Sequence, residues 1–196
     1  MYNIRQAIAI LAAVSFIGCN SRQVKNDVLD TNVNAAEFKE YLKRFQVLTL
    51  PVKIKYCSID CNNLPVLKPH DFPHFDSNEV AYCTFKTNGN YIATISFGIA
   101  DCYLPTLTTY TQDGTKISQE NFNIGGGSDC GYTSREIFEL GNDYSIYNAD
   151  TVFSYECDSL GNPVPGTTEN YVTLVRGRLL SSGKIELAKE NKELLR

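Results

Sequence analysis

From Val80 onward, apolar and polar residues alternate with period two, the pattern of half-buried β-strands. Tyr82 to Phe85 and Tyr91 to Phe97 flank Asn88-Gly89, a strong hairpin dipeptide. Thr106–Thr111 and Lys116–Asn123 flank Asp113-Gly114. Arg135–Leu140 and Tyr144–Tyr147 flank Gly141-Asn142. Val152–Glu156 and Tyr171–Leu179 flank a longer loop at Leu160-Gly161-Asn162-Pro163, and Ser181-Ser182-Gly183 turns the chain into Lys184–Leu187. This spacing predicts an antiparallel β-meander of about eight to ten strands, as an open sheet or a partly closed barrel. Glu186–Arg196 reads as a continuation of the last strand or a short charged tail.

Before Val80 the pattern differs. Phe38, Tyr41, Leu42 and Phe45 recur at helical spacing, behind Asn34 as an N-cap. They predict one amphipathic helix over 35–45, packed on the domain's own sheet. Lys53 to Tyr56 reads as a short strand. Cys57 to Ser77 carries Pro65, Pro69, Pro73 and Asn62-Asn63, which predict a long irregular excursion. Asn20 to Asn34 is polar and without period, which reads as a flexible tether.

The first residues are organised otherwise. Arg5 precedes an apolar run, Ala7 to Ile17, that is too short to span a bilayer. Phe16-Ile17-Gly18-Cys19 then resembles the lipobox of bacterial lipoproteins. The resemblance implies that residues 1–18 are a signal peptide, cut before Cys19, and that the Cys19 thiol carries lipid such as palmitate. One acyl chain binds a membrane only marginally, so stable anchoring takes two or three. Residues 19–34 would be the tether and 35–196 a single β-rich domain. The absence of an acidic run after Cys19 favours the outer membrane, facing the periplasm; cell-surface display is the alternative. Residues 37 to 188 also resemble a broad, functionally uncharacterised set of bacterial envelope lipoproteins, on two features. One is the Phe38-to-Phe45 helix running into Leu50-Pro51. The other is turns such as Thr111-Gln112-Asp113-Gly114 and Asp158-Ser159-Leu160-Gly161. That resemblance supports the architecture and carries no catalytic residues across.

Charge and cysteine content narrow the picture. Net charge is −4 at neutral pH, and no basic run marks a nucleic-acid partner. Six cysteines follow Cys19: Cys57, Cys61, Cys83, Cys102, Cys130 and Cys157. In an exported chain an even number reads as a disulfide set. Cys102 with Cys130 is the first expected pair, since both follow an Asp at a strand end. Cys57 with Cys61 is local, and Cys83 with Cys157 follows by elimination. The alternative is that several are small buried apolar residues.

Candidate chemistry is sparse. Cys57-x3-Cys61-x8-His70-x3-His74 has the ligand types of a structural zinc site, with Asp71 and Asp76 as acceptors behind the imidazoles. Interleaved Pro69 and Pro73 argue against helical placement of the histidines, so no metal is favoured. A Cys61–His70 nucleophile pair would be disabled by oxidation. Ile124-Gly125-Gly126-Gly127-Ser128-Asp129 lacks the Lys-Ser/Thr ending and following helix of a phosphate loop, and reads as a flexible inter-hairpin loop. Glu136, Glu139 and Asp143 are close in sequence. However, alternation puts Glu136 with Phe138 and Leu140, and Glu139 on the opposite face, against a glycosidase dyad. No Gly-x-Ser-x-Gly elbow is present. Twelve Tyr and no Trp suit sheet packing and interfaces better than sugar stacking.

These readings converge on a membrane-anchored envelope lipoprotein, non-catalytic and without cofactor, that binds or scaffolds an envelope protein. The alternative is a small-ligand carrier with a barrel-like cavity; a hydrolase ranks third.

Overall fold

The computed structural model describes residues 35–56, 61–67, 79–98, 104–125 and 127–195. The chain divides into two units, Met1–Thr31 and Asn32–Arg196, and all described residues belong to the second. The expected signal peptide (1–18), Cys19, the expected tether and Asn34 lie outside the described residues.

The described part is mainly β with one helix, α1 (Ala35–Leu42). The first sheet has the order β1 (Gln46–Leu48), β4 (Glu79–Phe85), β5 (Ile92–Gly98), β6 (Leu104–Tyr110), β7 (Lys116–Asn121), with β3 (Val66–Leu67) also on β4. The second has the order β12 (Ile185–Leu187), β11 (Glu169–Leu179), β10 (Ser145–Ser154), β9 (Tyr132–Leu140), β2 (Val52–Lys55). Here β13 (Asn191–Leu194) pairs with β11 and β8 (Ser128–Asp129) with β9. Sequential strands are neighbours in each sheet, so the expected meander is present, divided in two. Neither sheet closes into a barrel.

Alternation explains the division. Ala93, Ile95 and Phe97 on β5 join Phe138 and Leu140 on β9 and Ile146 on β10 in one buried cluster. The two sheets therefore pack face to face through their apolar faces. Phe122, just past β7, lies against Phe138 with ring centroids 4.6 Å apart. On β4 the register slips between Ala81 and Cys83. This bulge lets Val80 and Cys83, three residues apart, both enter the inter-sheet core, while Ala81 faces the other way.

The first sheet is covered on its second face by α1. Phe38 and Tyr41 of α1 pack with Leu67, Ala81 and Tyr110, and so does Phe45, although the helix ends at Leu42 rather than at the expected 45. The Tyr41 and Tyr110 hydroxyls meet at 3.3 Å, so each phenol finds a partner out of water. The segment after α1 contributes to both sheets. Strand β1 runs parallel to β4, and after a cis Leu50-Pro51 bond β2 pairs antiparallel with β9.

Four turns share one hydrogen-bond pattern. In Thr111–Thr115, Gly141–Ser145, Asp158–Asn162 and Leu180–Lys184, the first amide donates to the fifth carbonyl and the fourth amide to the first carbonyl. The fourth of these five residues, the last of the three in the hairpin loop itself, takes left-handed φ, which suits glycine. Gly114, Gly161 and Gly183 supply it at φ 96°, 81° and 85°, while Tyr144 does so at φ 64°. Tyr144 packs against the inter-sheet core, which holds it in a conformation a β-carbon disfavours. By contrast, Asn88-Gly89 does not form a two-residue hairpin. The link spans Lys86 to Tyr91, fastened by Thr87 Oγ1 donating to the Tyr91 carbonyl at 2.8 Å.

Three further expectations are corrected. Tyr144–Tyr147 and Val152–Glu156 are not separate strands, because β10 is continuous across Asn148-Ala149-Asp150. Asn191–Leu194 is a strand on β11 rather than a loose tail. Cys130 is bridged to Cys157, not to Cys102, and Cys157 is therefore not bridged to Cys83. The register explains this last result. Tyr132 lies opposite Ser154, so the same register carried outward puts Cys130 opposite Glu156, the residue next to Cys157. The bridge closes 27 residues, a loop whose entropy corresponds to about 3 to 4 kcal/mol in the chain-entropy model. Cys61 and Cys83 are buried thiols, the latter pushed up to about 12 by burial. Cys57 and Cys102 lie outside the described residues.

Two comparisons test this packing. Phe138 is fully buried between the sheets, so Phe138→Ala should lower unfolding free energy in urea by about 3–5 kcal/mol. Gly183 and Gly166 both have φ above +80°, but only Gly183 has close neighbours, Ile117 and Tyr91 within 3.1 Å of an added β-carbon. Gly166→Ala should cost about 1–2 kcal/mol from backbone conformation alone, and Gly183→Ala measurably more in the same assay.

Candidate functional site

Strand periodicity places Tyr132, Ser134, Glu136, Phe138 and Leu140 on one face of β9. On the same face of β10 it places Ile146, Asn148, Asp150 and Val152. The cross-strand pairs are Phe138 with Asn148 and Glu136 with Asp150. The inner face of the second sheet is therefore apolar at one end and acidic at the other. Glu136, Asn148 and Asp150 are each at least 95 % buried (4 %, 1 % and 2 % exposed). Buried polar groups of this kind must be hydrogen-bonded or pay a desolvation cost.

Most of them are bonded. The Ile124 amide donates to Glu136 Oε1 at 2.9 Å, and Asn148 Nδ2 donates to the same oxygen at 3.3 Å. The Tyr56 hydroxyl, just beyond β2, faces Asn148 Oδ1 at 3.3 Å and donates to the Phe122 carbonyl. Ser134 Oγ donates to Asp150 Oδ1. Glu136 Oε2 is the exception: it is buried and has no hydrogen-bond partner.

The glycine-rich stretch after β7 lies across this acidic end. Phe122 bonds back to the first sheet through the Pro105 carbonyl (2.9 Å), and the Gly127 carbonyl accepts from Ser134 on β9 (3.2 Å). Between them, a β-carbon at Gly125 would collide with Asp150 Oδ2, so a side chain there would push the crossover off the carboxylate. Gly126 lies outside the described residues. The stretch is thus a fitted cover at its described positions rather than the expected loose loop.

Electrostatics follow from this enclosure. Burial raises the Glu136 carboxyl from 4.5 to about 7; the Ile124 amide and Asn148 oppose the rise, and the Asp150 charge adds to it. The Tyr56 phenol is also pushed up, by burial first and by Glu136 second, so it stays a hydrogen-bond donor. The arrangement can retain a proton at neutral pH in a place closed to bulk water.

The other acids named from sequence lie elsewhere. Glu139 is on the outer face, in an ion pair with Lys53 at 2.8 Å. Asp143 caps its turn, accepting from Ser145 Oγ at 2.6 Å and from the Ser145 amide at 3.1 Å. Those two bonds hold its carboxyl below the usual range. Of the zinc set, Cys61 is buried in the core, and Cys57, His70 and His74 lie outside the described residues, as do Asp71 and Asp76. Among the described residues no group of three or more His, Cys, Asp or Glu is arranged to hold a metal. Asp150, the partner of Glu136, was missed because Asn148-Ala149-Asp150 reads as a strand break. The available signal was spacing: Asn148 and Asp150 keep the alternation of Ile146 and Val152.

The outer face of the second sheet has another character. Arg135 lies over the Phe153 ring at 5.8 Å and Arg176 over Tyr147 at 5.3 Å. Ile137 and Val172 are half-buried beside them, and Phe153 is 40 % exposed. A shallow groove of about 230 Å³ runs along the sheet edge between Arg176, Lys189 and Glu193, floored by Leu174.

The sign of the pH effect follows from the raised Glu136 value. Between pH 4.5 and 7 the folded chain keeps a proton that the unfolded chain has released. The resulting stabilisation is complete below about pH 4.5 and is lost as pH rises through about 7. Its ceiling is about 3 kcal/mol. Glu136→Gln should therefore gain stability relative to wild type between pH 5 and pH 8, measured by urea unfolding at each pH. A constant difference would contradict the assignment.

No protein-family model, curated protein or solved structure matches the chain.

Proposed function

We propose that this chain is a lipid-anchored lipoprotein of a bacterial cell envelope, whose β-rich domain binds or scaffolds a protein partner and does no chemistry of its own. The anchor is read from Phe16-Ile17-Gly18-Cys19 and the short apolar run before it. The Cys130–Cys157 bridge supports an exported chain, because such bridges persist in oxidising compartments. The outer membrane, facing the periplasm, remains the favoured location, with the cell surface as the alternative.

The observation that carries the binding role is the outer face of the second sheet. Its Arg135–Phe153 and Arg176–Tyr147 pairs combine planar cations and partly exposed rings on a rigid support. Arginine and aromatic residues are the side chains enriched in protein interfaces. The carrier reading calls for a closed barrel, and the two sheets stay open. The buried Glu136–Asp150 pair lies under the glycine-rich crossover, which does not favour a hydrolytic cleft.

Fractionation tests the anchor. Wild-type chain should sediment with membranes, and Cys19→Ala should move to the soluble fraction. Intact mass of the extracted wild type should show lipid at Cys19 and a gain of two hydrogens per bridge on reduction. Membrane retention of Cys19→Ala would remove the anchor from the proposal. For the binding face, a photo-crosslinking residue at Thr151 should give a higher-mass adduct in cells, while one at Gln112 should not. Absence of an adduct at Thr151 would count against this face.

A further inference from the structure

We infer that the protein bound at the outer face of the second sheet presents an acidic surface to it, with separate carboxylates set against Arg135 and Arg176; this rests on the binding role proposed above. Strand register places Lys53, Lys55, Arg135, Arg176 and Arg178 on that face, against Glu139, Glu186 and Glu193. Cations therefore prevail there, in a chain whose acids outnumber its bases by 22 to 18. Lys53 is paired with Glu139 at 2.8 Å, and Arg178 stands 3.9 Å from Asp143. Arg135 and Arg176 meet aromatic rings instead, and among the described residues neither has a carboxylate partner.

The rings prepare these two cations for a partner. A guanidinium over a ring still has its N–H edge, which takes a carboxylate by two parallel bonds. Ring contact also limits the side chain's freedom in advance, and so lowers the entropy lost on binding. Phe153 and Tyr147 are six positions apart on β10, about 20 Å at the usual rise per residue. One small anion does not span that distance, so the two arginines call for separate acids on one large surface. Between the rings runs an apolar row of cross-strand neighbours, Ile137, Ala149 and Leu174. An apolar centre with charged groups around it is the ordinary plan of a protein interface.

The acids on the same face select against other anionic partners. Glu186 on β12 and Glu193 on β13 are exposed along one edge of it. A membrane of anionic lipid or a nucleic acid offers one sign of charge throughout, and meets these two as like charges. A protein can answer each sign in turn, with carboxylates over the two arginines and cations toward the edge. The face is selective through its pattern of charge rather than through net charge alone.

Photo-crosslinking in cells that make the full chain tests this. With the crosslinking residue at Thr151, which lies opposite Arg135, the otherwise wild-type chain should give an adduct with a second protein. Arg135→Glu and Arg176→Glu should each cut its yield about tenfold or more, as attraction turns to repulsion. Lys116→Glu, the same charge change at an exposed position on the other sheet, should leave it unchanged. Arg135→Gln and Arg176→Gln serve if the reversed forms do not fold, with a smaller loss. The partner peptide identified by mass spectrometry should contain or adjoin Asp or Glu, and reversing that acid to Lys should restore the adduct to Arg135→Glu. An adduct undiminished in both Arg→Glu forms would overturn the acidic partner and leave the binding role standing. No adduct in the wild type would remove the binding role itself, and the inference with it. An adduct whose added mass is phospholipid or nucleic acid would also overturn the inference.

Discussion

The fold rests on the apolar contact between two sheets, made by side chains that alternate in and out along each strand. Phe97 and Ile95 from one sheet meet Phe138 and Leu140 from the other, and water is excluded between them. No single strand buries enough surface to be stable alone, so both meanders depend on this seam. The crossover at Phe122 depends on it too, since its ring lies on Phe138.

That dependence gives the acidic end its properties. The strands that deliver Phe138 and Ile146 to the seam continue past it and carry Glu136 and Asp150 into an enclosed space. Burial there follows from position on the strand, and the raised Glu136 carboxyl follows from burial. Glycine at 125 lets the backbone come close enough to complete the enclosure. The site is thus a by-product of sheet geometry that acquires chemical character from its partners. The outer face of the same sheet, with its arginines over aromatic rings, is displayed by the same alternation in the opposite sense.

Much of the architecture was legible. Phe38, Tyr41 and Phe45 share one buried cluster, as their spacing suggests, and the turns at Gly114, Gly161 and Gly183 were visible as Gly between strand-like runs. Tyr144 hid the fourth turn's special residue, because a tyrosine does not announce left-handed backbone. The candidate site was half legible. Glu136 stood out through its place beside Phe138 and Leu140. Asp150 did not, because two polar residues in four look like a loop until a partner strand supplies Glu136, Ser134 and Tyr56 as neighbours.

The sequence by itself determined periodicity, and periodicity is local: it set the strands, the helix, most turns and which side chains share a face. It also carries Phe16-Ile17-Gly18-Cys19, the linear stretch from which a lipid anchor is proposed. Tertiary structure decided that the meander splits into two sheets, that β1 and β2 part company around Pro51, and that Cys130 meets Cys157. It also decided that two acids fourteen positions apart are opposed in the dark of the sandwich. These are matters of register and of which face meets which. They are fixed by the summed burial of many side chains at once, a quantity that no short window of residues contains.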